Sequence, residues 1–172
     1  YLYRSHWRTD DHTIHVLPHW TWPGREGKVT PVYCYTDAPE AELFVNGKSQ
    51  GRISHNKESR LDRFRLRWNN VKYQPGELRV VAYNADGSVM GETKVKTAGE
   101  PAALQLDVEC PSSDDNTLKA DGSDLAYITV SLTDKAGTFC PTLDDDIILS
   151  VDGAGIFEAA CIGDATSLQS RR

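Results

Sequence analysis

The chain has 172 residues, of which 39% are hydrophobic and 26% charged, and its formal net charge is −6. This length allows one large domain or two small ones, and the composition is that of a folded rather than a disordered protein. The acidic balance argues against a nucleic-acid partner. No apolar run reaches the roughly 18 residues that a membrane-spanning helix needs, so we expect no membrane partner either.

The first 12 residues are aromatic and charged without a clean period, and a series of short strand-like segments follows them. Turn signals such as Pro23-Gly24 and Asn46-Gly47 separate these segments. About seven short strands at this spacing are typical of an antiparallel β-sandwich. The predicted strands are Thr13–Leu17, Val29–Thr36, Ala41–Val45, Lys48–Ile53, Arg60–Trp68, Glu77–Tyr83 and Ser88–Lys96.

Two of these segments carry more detailed predictions. Asn46-Gly47 predicts a two-residue type I′ hairpin, because both central positions need positive φ. Four arginines fall within Arg60–Trp68 and alternate with apolar residues, which favours the solvated face of an amphipathic strand over a basic binding surface. A slip in the alternation near Asp62 suggests a β-bulge.

A second unit begins near Gly99-Glu100-Pro101. Its predicted strands are Ala103–Cys110, Leu125–Asp134, Asp146–Val151 and Ile156–Ala160. About 72 residues of this unit are present, whereas an immunoglobulin-like sandwich typically needs about 100. We therefore expect its last strands to be missing from the chain, with exposed sheet edges as the consequence.

The four cysteines lack the spacing of a zinc site or a redox motif. Cys34 lies in a predicted strand, where a buried reduced thiol is the ordinary state. A bridge among Cys110, Cys140 and Cys161 stays open, so the cysteines do not identify a compartment.

Several stretches resemble the C-terminal, non-catalytic region of family 2 glycoside hydrolases of the β-galactosidase type. In the first unit the resemblance is carried by Tyr1–Trp7, His15–Gly24, Val32–Asp37 and Glu42–Ser49. In the second unit it is carried by Ala120–Leu125, Val130–Gly137 and Gly163–Ser167.

The resemblance implies an all-β chain of two tandem immunoglobulin-like antiparallel β-sandwiches, the second truncated. Residues 1–12 would be the remnant of the preceding barrel end, followed by a sandwich at 13–98 and an immunoglobulin-like domain at 101–172. Family members hydrolyse β-galactosides with retention, using two glutamates about 5 Å apart. Both lie on the upstream barrel in the family, so we expect no catalytic residue here and an inactive fragment whose partner is that barrel.

Trp7, Trp20 and Trp22 offer a competing hypothesis, a carbohydrate-binding module in which flat rings stack on sugars. The alternative is that these rings pack at the seam between the barrel and the first sandwich. Carbohydrate is therefore a second expected partner. The resemblance leaves export open, with a periplasmic or secreted parent as one expectation.

Other chemistry receives little support from the sequence. His6, His12, His15 and His19 cluster, but a proline between the last two removes helical spacing for a metal site. The acidic runs Asp114-Asp115 and Asp144–Asp146 lack the ligand spacing of a calcium loop and are interpreted as solvated turns. No Gly-x-Ser-x-Gly elbow occurs. We expect no metal and no cofactor.

Overall fold

The computed structural model describes residues 1–8, 10–142 and 146–162. These residues form antiparallel β-structure, as the sequence predicts, together with one short helix. Within these ranges no helix is long and apolar enough to cross a membrane. The elements are α1 (Leu2–Trp7), β1 (Ile14–Leu17), β2 (Val32–Thr36), β3 (Glu40–Val45), β4 (Lys48–Ser54), β5 (Leu66–Trp68), β6 (Glu77–Tyr83), β7 (Val89–Lys96), β8 (Pro101–Glu109) and β9 (Tyr127–Asp134).

Strands β1, β2 and β5 form a three-stranded antiparallel sheet with β2 in the centre. Val32, Cys34 and Thr36 are buried, and the residues between them are half-buried, as the period of two along a strand requires. Burial raises the pKa of the Cys34 thiol to about 12. Cys34 is therefore a buried, protonated, free thiol, which confirms the prediction.

The second sheet has four strands in the order β4-β3-β6-β7. Asn46 and Gly47 connect β3 to β4 with φ values of 49° and 79°, and Val45 pairs with Lys48 across the turn. Positive φ at both central residues is the type I′ geometry, so the predicted hairpin is confirmed.

The two sheets share one hydrophobic core. The Trp68 indole N–H of β5 donates to the Gly51 carbonyl of β4 over 2.9 Å, which joins the sheets directly. Gly51 lies in a bulge where the register with β3 shifts, and its φ of 107° favours glycine. The largest fully buried side chains come from both sheets and their connections: Trp20, Tyr73, Leu43, Leu66, Leu78, Val32, Val80, Thr36 and Cys34.

The prediction of one long strand over Arg60–Trp68 is wrong in its first part. Only Leu66–Trp68 is a strand, and a turn-rich segment precedes it. Ser59 accepts backbone hydrogen bonds from Leu61 and Asp62, and the Arg63 N–H donates to the Ser59 carbonyl. A serine that caps a local turn competes with the strand ladder, which explains why alternation misled here and why no bulge occurs at Asp62.

The second region, from Pro101 onward, contains one antiparallel hairpin, β8–β9, among its described residues. The predicted strands at 103–110 and 125–134 are confirmed within two residues. Those predicted at Asp146–Val151 and Ile156–Ala160 are wrong, because both segments lack strand structure. Their apolar side chains have no ladder partner in the described ranges and stay largely exposed. Cys110, Cys140 and Cys161 are free thiols.

The two regions meet at residues 97–99. Thr97 and Ala98 bond to the first region, through the Trp20 carbonyl and the Thr21 hydroxyl respectively. The Gly99 N–H instead donates to the Asp134 carboxylate over 2.8 Å. The backbone thus changes from a first-region to a second-region hydrogen-bond partner between Ala98 and Gly99.

Candidate functional site

Trp20 lies at the centre of the first region's core. Its side chain is 0% exposed, its indole N–H donates to the Gln74 carbonyl over 2.9 Å, and its ring packs edge-on against Tyr73 at 5.1 Å. Burying a tryptophan with its N–H satisfied is a favourable core arrangement. The ring has no exposed face on which a sugar could stack, so the carbohydrate hypothesis does not extend to Trp20 in this conformation.

Trp22 lies two residues further on and is half-buried. Its backbone N–H donates to the Tyr73 hydroxyl over 3.2 Å, and its indole N–H donates to the His19 carbonyl over 2.9 Å. The His19 imidazole stacks on its ring at a centroid distance of 4.1 Å, and partial burial lowers the pKa of that imidazole. Trp22 thus keeps only part of its surface for a ligand.

Trp7 ends helix α1 and is 77% exposed. Tyr3, one turn earlier, tilts against it at 4.7 Å, and Arg8 and Asp10 form an ion pair beside it at 3.0 Å. The hydrogen bond from Arg8 holds the pKa of the Asp10 carboxyl below its usual range. Together these residues line a shallow surface recess with two large rings on its rim.

The structure brings Trp20 and Trp22 together around Tyr73 but places Trp7 elsewhere. Helix α1 packs on β2, and its ring contact is with Tyr3, whereas no described ring contact joins Trp7 to the other two tryptophans. The three predicted residues therefore do not form one continuous platform.

The clustered histidines have four separate environments. His6 contacts the Phe64 carbonyl, His12 pairs with Asp37, His15 stacks on Tyr1 and His19 stacks on Trp22. In the described part of the chain no three histidine, cysteine or acidic side chains converge on one point. Asp144 and Asp145 lie outside the described residues.

Several glutamates lie on the outer face of the four-stranded sheet and bond to neighbouring side chains. Glu40 pairs with Arg52, and Glu92 with Arg79 and Lys94. Glu42 accepts hydrogen bonds from Ser49 and Tyr83. These bonds fit a solvated, cross-strand role.

Sequence reasoning missed the residues that hold in place the β1–β2 connection, which carries Trp20 and Trp22. Tyr73 and Thr97, which lie in connections far along the chain, hold Trp20 and Trp22, and no local pattern marks such long-range partners. It also missed the helical turn after Ser59. The Ser59-x-x-Asp62 spacing is a turn-capping signal that could have revealed it.

Family models match both regions of the chain. The domain of unknown function DUF4982 matches residues 27–91, and glycoside hydrolase family 2 C-terminal domain 5 matches residues 111–172. With a mostly antiparallel β fold, these matches define the chain as C-terminal domains of a family 2 glycoside hydrolase, which confirms the resemblance. The chain is 39% identical over 171 residues to β-galactosidase BoGH2A of Bacteroides ovatus, covering 98% of this chain and 18% of that protein.

Other relatives carry different names. A β-glucuronidase of Formosa agariphila is 28% identical over 158 residues, covering 91% of this chain and 15% of that protein. Among solved structures, a β-glycosidase from Bacteroides vulgatus is 34% identical with a TM-score of 0.67, covering 81% of this chain and 16% of that one. The chain thus spans less than a fifth of the length of these relatives.

Proposed function

We propose that this chain buttresses the catalytic barrel of a family 2 enzyme that hydrolyses β-galactosides with retention. The identity of 39% to a β-galactosidase over nearly the whole chain carries the substrate assignment. A relative named as a β-glucuronidase makes β-glucuronides the competing substrate class.

The docking of helix α1 on the first region supports the architectural role. Tyr1 stacks on His15 at 3.5 Å with the rings within 4° of parallel, Ser5 is buried, and His6 Nε2 lies 3.0 Å from the Phe64 carbonyl. These contacts would fasten a segment that resembles the end of the barrel to the β-structure. Tyr3 and Trp7 stay exposed on the same helix and would contact the barrel.

The proposal includes the architecture of the two units. The first, 13–98, would be an immunoglobulin-like sandwich, which the shared core of its two sheets supports. The second, 101–172, would be a separate immunoglobulin-like domain, and 1–12 would belong to the barrel end. The change of hydrogen-bond partner between Ala98 and Gly99 supports this boundary.

The substrate assignment is tested on the parent enzyme. We expect hydrolysis of a nitrophenyl β-galactoside with a kcat/KM at least tenfold above that for the matching β-glucuronide. The 172-residue chain alone should hydrolyse neither. A preference for the glucuronide, or activity of the isolated chain, would contradict the proposal.

The architectural role is tested by Tyr3→Ala/Trp7→Ala in the parent enzyme, with Val89→Ala on exposed β7 as the control. Loss of an apolar contact with the barrel should lower the Tm by several degrees and leave KM unchanged. The control should change neither quantity. A raised KM at an unchanged Tm would favour the carbohydrate-binding alternative instead.

That alternative, a carbohydrate-binding module, is favoured by the exposure of Trp7 beside Tyr3 and by the partial exposure of Trp22. Calorimetric titration of the chain with galactosides and neutral polysaccharides tests it. Saturable binding that Trp7→Ala or Trp22→Ala abolishes would support a module. Because Trp20 is a core residue, Trp20→Ala is unsuitable as a probe.

A further inference from the structure

Residues 59–65, which precede β5, place positively charged side chains on one side of a turn. The Arg63 N–H donates to the Ser59 carbonyl over 3.3 Å, so residues 59–63 form one helical turn. Residues three apart on such a turn share a side, which brings Arg60 and Arg63 together. Both are exposed. On the strand that the sequence predicted, residues three apart would have faced opposite sides of the sheet.

Aromatic rings lie against these cations. The Arg63 guanidinium carbon is 4.7 Å from the centroid of Phe64, whose side chain is 42% exposed. Arg65 continues the segment, with its guanidinium carbon 5.1 Å from the Tyr33 ring. Its buried Nε has no hydrogen-bond acceptor among the described residues. A buried donor without an acceptor is uncommon.

Three other arginines of the first region pair with carboxylates. Arg52 pairs with Glu40, and Arg67 with Asp62. Arg60, Arg63 and Arg65 form no ion pair with a carboxylate within the described ranges. In a chain of net charge −6, three such guanidiniums on one short segment form a local cationic surface.

We propose that Arg60, Arg63, Phe64 and Arg65 form a binding surface for an anionic polysaccharide that carries carboxylate or sulfate groups. Planar guanidiniums bind such oxyanions through paired N–H donors. The exposed Phe64 ring adds an apolar face for the C–H side of a sugar ring. Because the turn is exposed, a long polymer can lie across it, and a polysaccharide repeats both the anionic group and the sugar ring. Phe64 also lies beside helix α1, whose His6 ring meets it edge-on at a centroid distance of 5.4 Å. The proposal does not depend on the parent's substrate.

The test is a titration of the 172-residue chain with sulfated dextran, polygalacturonate and unmodified dextran. We expect saturable binding of at least one charged polymer, weakened by added salt, and none of unmodified dextran. The two charged polymers distinguish sulfate from carboxylate as the preferred group.

Arg60→Gln/Arg63→Gln should weaken this binding at least tenfold. Lys94→Gln/Lys96→Gln on β7 removes the same charge from the other sheet and should change it less than twofold. Thermal unfolding of both variants checks that the fold is retained, since all four side chains lie at the surface. Arg65→Lys should reduce binding further, because an ammonium lacks the paired donors.

Equal weakening by the two double variants would mean that only net charge matters and would overturn the proposal. So would absence of binding to both charged polymers. If the chain binds but the parent enzyme does not, the surface is covered by another part of the protein, and this outcome would also overturn the assignment to a polysaccharide.

Discussion

The two regions of this chain contain strands of similar character but bury them very differently. In residues 13–98, two sheets enclose a shared core in which Leu43, Leu78 and Val80 are fully buried. In the second region, the described strands form a single hairpin whose nine-residue strand β8 is exposed along its whole length. Both regions therefore form strands, but a buried core requires a second layer.

The exposed hairpin is nonetheless patterned for burial. Cross-strand partners on one face are apolar throughout: Leu104 with Leu132, Leu106 with Val130, and Val108 with Ile128. Leu106 is 62% exposed, whereas Leu43, Leu78 and Val80 of the first region are 0% exposed. The contrast between the regions is therefore one of packing and not of strand chemistry.

Truncating one side chain in each region should give the largest difference. Leu43→Ala leaves a cavity in a closed core and should lower the free energy of unfolding by about 2–5 kcal/mol. Leu106→Ala removes an exposed side chain and should cost less than about 0.5 kcal/mol. Urea unfolding followed by tryptophan emission measures the first, because all four tryptophans precede residue 99. Circular dichroism measures the second.

Equal losses in the two variants would break the comparison. That result would mean that the apolar face of β8–β9 is covered in solution. Amide exchange would then show slow exchange along β9 in the unsubstituted chain, and faster exchange in Leu106→Ala.

The next largest effect is expected at Gly76, which lies against the Asn46 side chain of the β3–β4 turn. Gly76 has φ of 131°, and a Cβ there would lie 2.0 Å from Asn46 Oδ1. Gly76→Ala combines backbone strain with loss of the Asn46 hydrogen bonds and should cost about 2–4 kcal/mol. Gly87→Ala is the matched control, because φ is 86° but nothing lies within 4 Å, and it should cost about 1 kcal/mol. Urea midpoints by tryptophan emission compare the two.

A smaller effect is expected for Asn46 itself. Its Oδ1 accepts from the Glu77 N–H over 2.8 Å, and its Nδ2 donates to the Pro75 carbonyl over 3.0 Å. Asn46→Ala loses both hydrogen bonds and replaces a residue that tolerates positive φ. It should lower the free energy of unfolding by about 1–2 kcal/mol. Asn46→Asp keeps the acceptor and should lose about half as much. If Gly76→Ala acts through the Asn46 side chain, its cost should shrink in the Asn46→Ala background.

The β3–β4 turn shows how much of the fold the sequence could predict. Asn46-Gly47 encodes its own turn through positive φ, so the hairpin could be predicted without any distant contact. The segment 60–65 also alternates, yet Ser59 caps a helical turn there and Asp62 pairs with Arg67. A strand ladder and a capped turn compete for the same backbone groups, and alternation alone does not weigh that competition.

The candidate surfaces were predictable only as residue types. Trp7, Trp20 and Trp22 look alike in sequence, but their exposure ranges from 0% for Trp20 to 77% for Trp7. The difference is set by Tyr73 and Gln74, more than 50 residues away from Trp20 along the chain. Likewise, Arg60 and Arg63 become neighbours only because the turn replaces the predicted strand.

The smallest expected effect is on how the stability of the first region depends on pH. Burial acts to raise the pKa of Asp37, but hydrogen bonds from His12 Nδ1 at 2.5 Å and the Thr13 N–H at 2.8 Å outweigh it, so its pKa lies below the usual range. A carboxyl with a lowered pKa in the folded state stabilises the fold above its ordinary pKa. That stability is lost as the pH falls through the folded-state value. For this partly exposed pair the loss should be less than about 1 kcal/mol.

Asp37→Asn should therefore flatten the fall in the urea midpoint, read by tryptophan emission, between about pH 5 and pH 2. Asp134→Asn is the control from the second region. The Asp134 carboxylate accepts hydrogen bonds from the Gly99 and Thr138 N–H groups, which lower its pKa too, but it lies beyond the core that the tryptophans report. Its substitution should leave that tryptophan profile unchanged. A matching change in both variants would mean that the first region's stability depends on the junction at Gly99, and the two regions would then unfold as one unit.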